Sequence, residues 1–162
     1  MKFGLFGGPR ETALVSEKDK EISGYQVYIN NVIEAERLGY YSAFIVEHHF
    51  SGMGQASASL NVLSYLAAKT STIRLGTAVV VLPWHNPVLV AEQAATIDLL
   101  SGGRLDFGVG KGYRFSEFEG FCIPIEEATE RFEEAMAVIR KAWTTDGRFS
   151  HHGARWHYDN VV

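Results

Sequence analysis

Four times in succession a short run of apolar, β-branched and aromatic residues gives way to a stripe with helical spacing. That alternation restricts the chain to parallel strands joined by right-handed helical crossovers. Lys2 to Phe6 reads as the first strand, closed by Gly7-Gly8-Pro9, and Ser23 to Leu38 as a helix with Tyr25, Tyr28, Ile29, Val32 and Ile33 on one stripe, ended by Gly39. Tyr41 to Val46 is the second strand, and Ser57 to Lys69 its helix through Leu60, Leu63, Leu66 and Ala67. Thr72 to Leu82 forms a third strand stopped by Pro83. Asn86-Pro87 then opens a helix to Leu100, since an Asn side chain caps orphan amides and proline suits the first helical position. Arg104 to Val109 is the fourth strand, and a loop from Gly110 to Pro124 leads to a helix from Thr129 to Trp143. Its acids, Glu130, Glu133 and Glu134, precede its bases, Arg140 and Lys141, the order the helix dipole favours. The tail through Trp156-His157-Tyr158 reads as a turn and a short hairpin.

Two closures satisfy this α/β alternation, each making residues 1–162 a single domain. An open doubly wound sheet is complete at about this length, whereas a (β/α)8 barrel takes ~250 residues, so the chain would supply its first four units. A hairpin is a poor last element for a doubly wound sheet and reads as a chain cut before its next strand. Charge removes other classes. With 15 basic against 19 acidic residues, scattered, no basic stripe exists to neutralise a nucleic-acid backbone, so no nucleic acid is expected as partner. Cys122 is the only cysteine, which excludes an internal disulfide and is expected to be buried. No run approaches the ~18 apolar residues of a membrane span, and the opening apolar run is too short for a signal peptide, so a cytoplasmic location off the membrane is expected.

Chemistry concentrates at the strand ends. The apolar run Tyr41 to Val46 leads directly into Glu47, His48 and His49, the third strand into Trp84 and His85, and the fourth into Lys111, Tyr113 and Arg114. On one carboxyl rim these converge, where α/β folds hold their ligands. Gly108-Val109-Gly110-Lys111-Gly112 is a poor dinucleotide fingerprint, because its third glycine comes early and no helix begins at once. Lys111, beside flexible backbone, and Arg131, at the start of the following helix, suit a phosphate. Glu47, His48, His49 and His85 have metal-ligand chemistry, but successive strand residues point apart, so His48 and His49 could not share an ion without a bend. His151, His152 and His157 lie in the tail and read as surface histidines.

Several segments together resemble the luciferase-like flavin monooxygenases, most closely the alkanal monooxygenase branch. They are Met1-Lys2-Phe3-Gly4, Glu47-His48-His49-Phe50, Gly76-Thr77-Ala78 through Leu82-Pro83 with His85 and Pro87, and Ser101 to Phe107 leading into Gly112-Tyr113. The resemblance implies the amino-terminal half of a (β/α)8 TIM barrel. It implies reduced flavin mononucleotide (FMN) at the barrel mouth, acting with oxygen on a small organic substrate such as an aldehyde, with a flavin reductase supplying the reduced cofactor. By match, His48 is the acid/base residue, Glu47 lines the flavin edge and His49 supports it. Ala78 and Val79 form a cis peptide under the ring, Lys111 and Arg131 meet the phosphate, and Tyr113 touches the ring. The reactive cysteine of the luciferases is replaced by Gly110 and its basic neighbour by Lys111. Homodimerisation through the first helices is common among relatives, so the resemblance also implies a homo-oligomer. Alternatives are a deazaflavin (F420) dependent oxidoreductase of the same barrel, a metal-dependent barrel hydrolase and a non-catalytic flavin-binding subunit.

Overall fold

The computed structural model describes residues 1–9, 24–50 and 56–162. Its elements are β1 (Gly4–Gly7), α1 (Gly24–Arg37), β2 (Ser42–Ile45), α2 (Ser59–Lys69), β3 (Arg74–Thr77), β4 (Val80–Val81), α3 (Pro87–Ser101), β5 (Leu105–Asp106), β6 (Val109–Gly110), α4 (Phe115–Gly120), α5 (Ala128–Thr144), β7 (Phe149–His152) and β8 (His157–Val161). The main sheet is parallel with spatial order β1-β2-β3-β5, and β4 and β6 pair parallel beyond it. Strands that neighbour each other in chain order, with no reversal point, trace the arc of a barrel. A doubly wound sheet would grow outward in both directions from its first strands. The protein therefore has the fold of half a TIM barrel.

The period of two assigns the faces. Ala43, Ile45 and Leu75 are fully buried in one core with Val32, Leu63, Leu66, Val90, Ile97 and Ile139. The alternate residues Phe6, Phe44, Gly76 and Asp106 stand in register across the concave face. Glycine is required at position 76, since a Cβ there would lie 2.3 Å from the Phe44 ring. Phe6, at the open side of the arc, is 68% exposed.

The amino-terminal rim is tied by polar hubs. The Arg104 guanidinium donates to the carbonyls of Ala67, Thr70, Ile73 and Ser101 at 2.7–3.1 Å, which satisfies acceptors left open where α2 and α3 end. Glu36 accepts the backbone N–H groups of Ser71, Thr72 and Ile73 at 2.7–2.9 Å.

The structure amends several sequence expectations. The expected third strand, Thr72 to Leu82, is two strands, β3 and β4, which part at Ala78–Val79, a cis peptide. The expected fourth strand, Arg104 to Val109, is likewise split into β5 and β6. The Thr77 hydroxyl bridges the break, donating to the Gly108 carbonyl at 2.7 Å and accepting the Gly108 N–H at 2.9 Å. The expected loop from Gly110 to Pro124 contains α4, one short helix whose Phe118 is buried against Trp84. Asn86 does cap α3, accepting from the Val88 and Leu89 amides, and the tail is the antiparallel hairpin β7–β8. Ser23, where the first helix was expected to begin, falls outside the described residues.

Cys122 is exposed, not buried: it follows α4 with φ of 55° and turns outward. His151 is not a surface histidine, since its Nε2 meets Glu134 at 3.1 Å with the side chain 12% exposed. His152 and His157 are exposed and face each other across the hairpin. Among the described residues no helix is long and apolar enough to cross a membrane.

Candidate functional site

A cleft of about 440 Å³ opens at the carboxyl ends of the strands, within the 300–1,000 Å³ range usual for ligand pockets. Glu47, His48, Ala78, Val79, Lys111 and Tyr113, each named from the sequence, all line it, and Phe6, Val46 and Val81 make its floor largely apolar. Arg131 does not line it. Its guanidinium pairs with Glu127 one turn earlier at 2.8 Å.

Small residues shape the wall. A Cβ at Gly110 would lie 2.7 Å from Val79, and one at Gly112, with φ of +74°, would lie 2.7 Å from Val81. Beyond them the Lys111 ammonium donates to the Thr129 hydroxyl at 3.2 Å, in the first turn of α5. A cation, a hydroxyl and the amino end of a 17-residue helix thus lie together at one side of the cleft.

Glu47 ties three strand ends together. Its Oε1 accepts the Trp84 indole N–H at 3.0 Å, the Val81 amide at 3.4 Å, His85 Nε2 at 2.8 Å and His49 Nε2 at 3.2 Å, while Ser59 Oγ donates to Oε2 at 3.4 Å. Burial pushes this carboxyl upward, but the hydrogen bonds from His49, His85 and Trp84 and the charge of His85 outweigh it and hold Glu47 down to about 2. Glu47, His49 and His85 also have the makings of a metal site. The indole and amide donors aimed at the same oxygen instead make it a hydrogen-bond acceptor. His48 and His49 point apart, as successive strand residues do: His49 turns toward Glu47 while His48 turns toward Glu117, and His48 is not one of the three grouped ligands.

Glu117 went unnoticed in the sequence. It lies on α4, is 2% exposed, lines the cleft, and its Oε1 accepts the His49 backbone N–H at 2.9 Å and stands 3.1 Å from His48 Nδ1. Rings hold α4 in place: Phe121 stacks on Trp84 at 5.1 Å and meets His49 edge-on at 4.8 Å, while Phe118 abuts Trp84 at 4.9 Å. An acid between aromatics, Phe115-Ser116-Glu117-Phe118, inside an apparent loop was the available signal.

The family model described as luciferase-like monooxygenase matches residues 1–161. The oxygenase component of flavin-dependent trigonelline monooxygenase from Acinetobacter baylyi is 31% identical over 164 aligned residues, covering 100% of this chain and 44% of that protein. The alkanal monooxygenase beta chain of Photorhabdus laumondii is 31% identical over 147 residues, covering 90% and 44%. Among solved structures, a monooxygenase from Streptomyces bottropensis superposes with a TM-score of 0.87 at 29% identity, covering 99% of this chain and 48% of that one. The chain spans less than half the length of these relatives.

Proposed function

The chain belongs to the luciferase-like monooxygenase family, and from that premise we propose that it forms the flavin side of a two-component monooxygenase, binding reduced FMN and acting with oxygen on a small organic substrate such as an aldehyde. The observation that carries this reading is one cleft lined by His48, the Ala78–Val79 edge and Lys111.

The residues present fit a flavin. A flat tricyclic ring needs an apolar slot beside small side chains, and Val46, Ala78, Val79, Gly110 and Gly112 provide one. Its phosphate needs a cation and free donors, which Lys111 and Thr129 offer at the start of α5. Arg131 would join them by exchanging its Glu127 partner. The bound reduced flavin supplies the electrons and activates oxygen. The protein's own part is to hold the ring against Ala78, keep water out with the apolar floor, and give or take a proton at His48. Tyr113, which lines the cleft and is 77% exposed, would touch the ring. A flavin reductase is the partner that this chemistry requires.

Anaerobic titration with reduced FMN and with riboflavin tests the reading. Saturable binding of both is expected, with Lys111→Ala weakening FMN about tenfold, the loss of one charge-assisted contact of about 1.4 kcal/mol, and leaving riboflavin unchanged. F420 in place of FMN would identify the deazaflavin branch, and no saturable binding of either would end the proposal. In turnover with reduced FMN, oxygen and an aldehyde, His48→Ala should lower kcat roughly 100-fold while flavin affinity stays within about threefold.

A further inference from the structure

Three imidazoles stand at the strand ends, His48 lining the cleft and His49 and His85 on the buried Glu47, and the acids beside them commit their nitrogens differently. Glu47 Oε1 receives the Trp84 indole N–H and the Val81 amide, groups that only donate, so this oxygen acts as an acceptor. Nε2 of His49 at 3.2 Å and of His85 at 2.8 Å must then carry the hydrogen. At His48 the same reasoning gives the opposite tautomer. Glu117 Oε1 already accepts the His49 backbone N–H at 2.9 Å, so His48 Nδ1, 3.1 Å away, is the donor. The lone pair of neutral His48 is left on Nε2, and no hydrogen bond among the described residues engages that nitrogen.

We propose that Glu117 is a positioning residue that selects which of the three histidines does acid/base work: it fixes His48 as the Nδ1–H tautomer with Nε2 free, while Glu47 occupies Nε2 of His49 and His85. The inference rests on reading His48 as the proton-transfer group of the cleft. The orienting device is a general one, since the hydrogen bond at one ring nitrogen sets the role of the other. Its rigidity here comes from burial. Glu117 is 2% exposed and held on α4, whose Phe118, with Phe121 just after the helix, is clamped on Trp84, so the carboxylate has no solvent to turn to. One oxygen also holds the His49 amide, which fixes the backbone that carries His48.

Two-bond proton–nitrogen spectra of the histidine-labelled chain read this directly, with His48 assigned by the signal lost in His48→Gln. Neutral His48 is expected as Nδ1–H and both His49 and His85 as Nε2–H. Glu117→Gln keeps an acceptor oxygen in the same place and should preserve this pattern. Glu117→Met removes the acceptor, and His48 should change to predominantly Nε2–H, the form neutral imidazole prefers when unconstrained. Unchanged His49 and His85 signals in that variant show the site still assembled. An Nε2–H His48 in the wild-type chain would overturn the inference without any variant, and so would an Nδ1–H His48 in Glu117→Met. Neither readout involves a cofactor, so a chain that fails to bind flavin and a chain whose His48 tautomer ignores Glu117 are separate results.

Discussion

Glu47 stays ionised in a buried place because several donors converge on it, and that makes it a source of pH-dependent stability. Its folded value, about 2, lies below the ordinary 4.5, so the stabilisation is fully present above about 4.5 and is lost as pH falls toward about 2. At 1.36 kcal/mol per unit the lowering corresponds to about 3 kcal/mol. Urea unfolding of the wild type should therefore lose stability steadily between pH about 5 and about 2, with a shallower loss in Glu47→Gln, which starts about 2–3 kcal/mol lower. Parallel pH profiles for the two proteins would contradict this account. At this scale the sequence was legible where a side chain follows a strand end: Glu47, His48, Ala78 and Lys111 share a cleft because neighbouring parallel strands deliver their carboxyl ends to one rim. It was not legible where a partner arrives from afar. Glu117 lies 69 positions from His48, and the division of labour between His48 and His49 depends on that approach.

Strands three and four each read as a single run of β-forming residues, and each is broken near its carboxyl end. Hydrophobic pattern cannot report such a break, because β-forming residues lie on both sides of it, Leu75 and Val80 in one run and Leu105 and Val109 in the other. The break is held by chemistry that pattern does not weigh: Thr77, 1% exposed, makes two hydrogen bonds to Gly108, and a Cβ at Gly108 would lie 2.2 Å from the Thr77 carbonyl oxygen. Gly108→Ala forces backbone against backbone, where no side chain can yield, and should cost about 2–4 kcal/mol. Thr77→Val keeps the shape but leaves the Gly108 N–H without a partner, its carbonyl keeping the Val80 N–H at 2.9 Å, for about 1–3 kcal/mol. Chemical denaturation checks both, and a Gly108→Ala protein as stable as wild type would mean that the two strands part more easily than their bonding implies. The same limit hid Arg104. It read as the first residue of a strand, whereas it serves as the common donor to the ends of α2 and α3, a role visible only once those helix ends lie side by side. Because lysine lacks the planar fork, Arg104→Lys should lower the thermal midpoint along with a stability loss of about 2–3 kcal/mol.

At the scale of the whole molecule, the helices cover one face of the arc and leave the other open. Among the described residues no strand pairs with the outer side of β1 or of β5, and Phe6 stands exposed on the concave face beside the first of these edges. Unpaired edges beside apolar surface favour strand addition. A second copy related by a twofold axis along the barrel would bring β5 of each chain beside β1 of the other. All eight strands would then be parallel, and the two Phe6 rings would lie inside. Sedimentation across roughly a hundredfold range of concentration should accordingly show a monomer–dimer equilibrium. A lysine at position 6 must carry its charge into that interior, and Phe6→Lys should shift the equilibrium toward monomer without lowering the monomer's own stability, because the ring is exposed in the single chain. Association unaffected by Phe6→Lys would move the interface to the outer helices, where relatives are expected to pair, and a wild-type chain monomeric at every concentration would show that the open arc tolerates water on both edges.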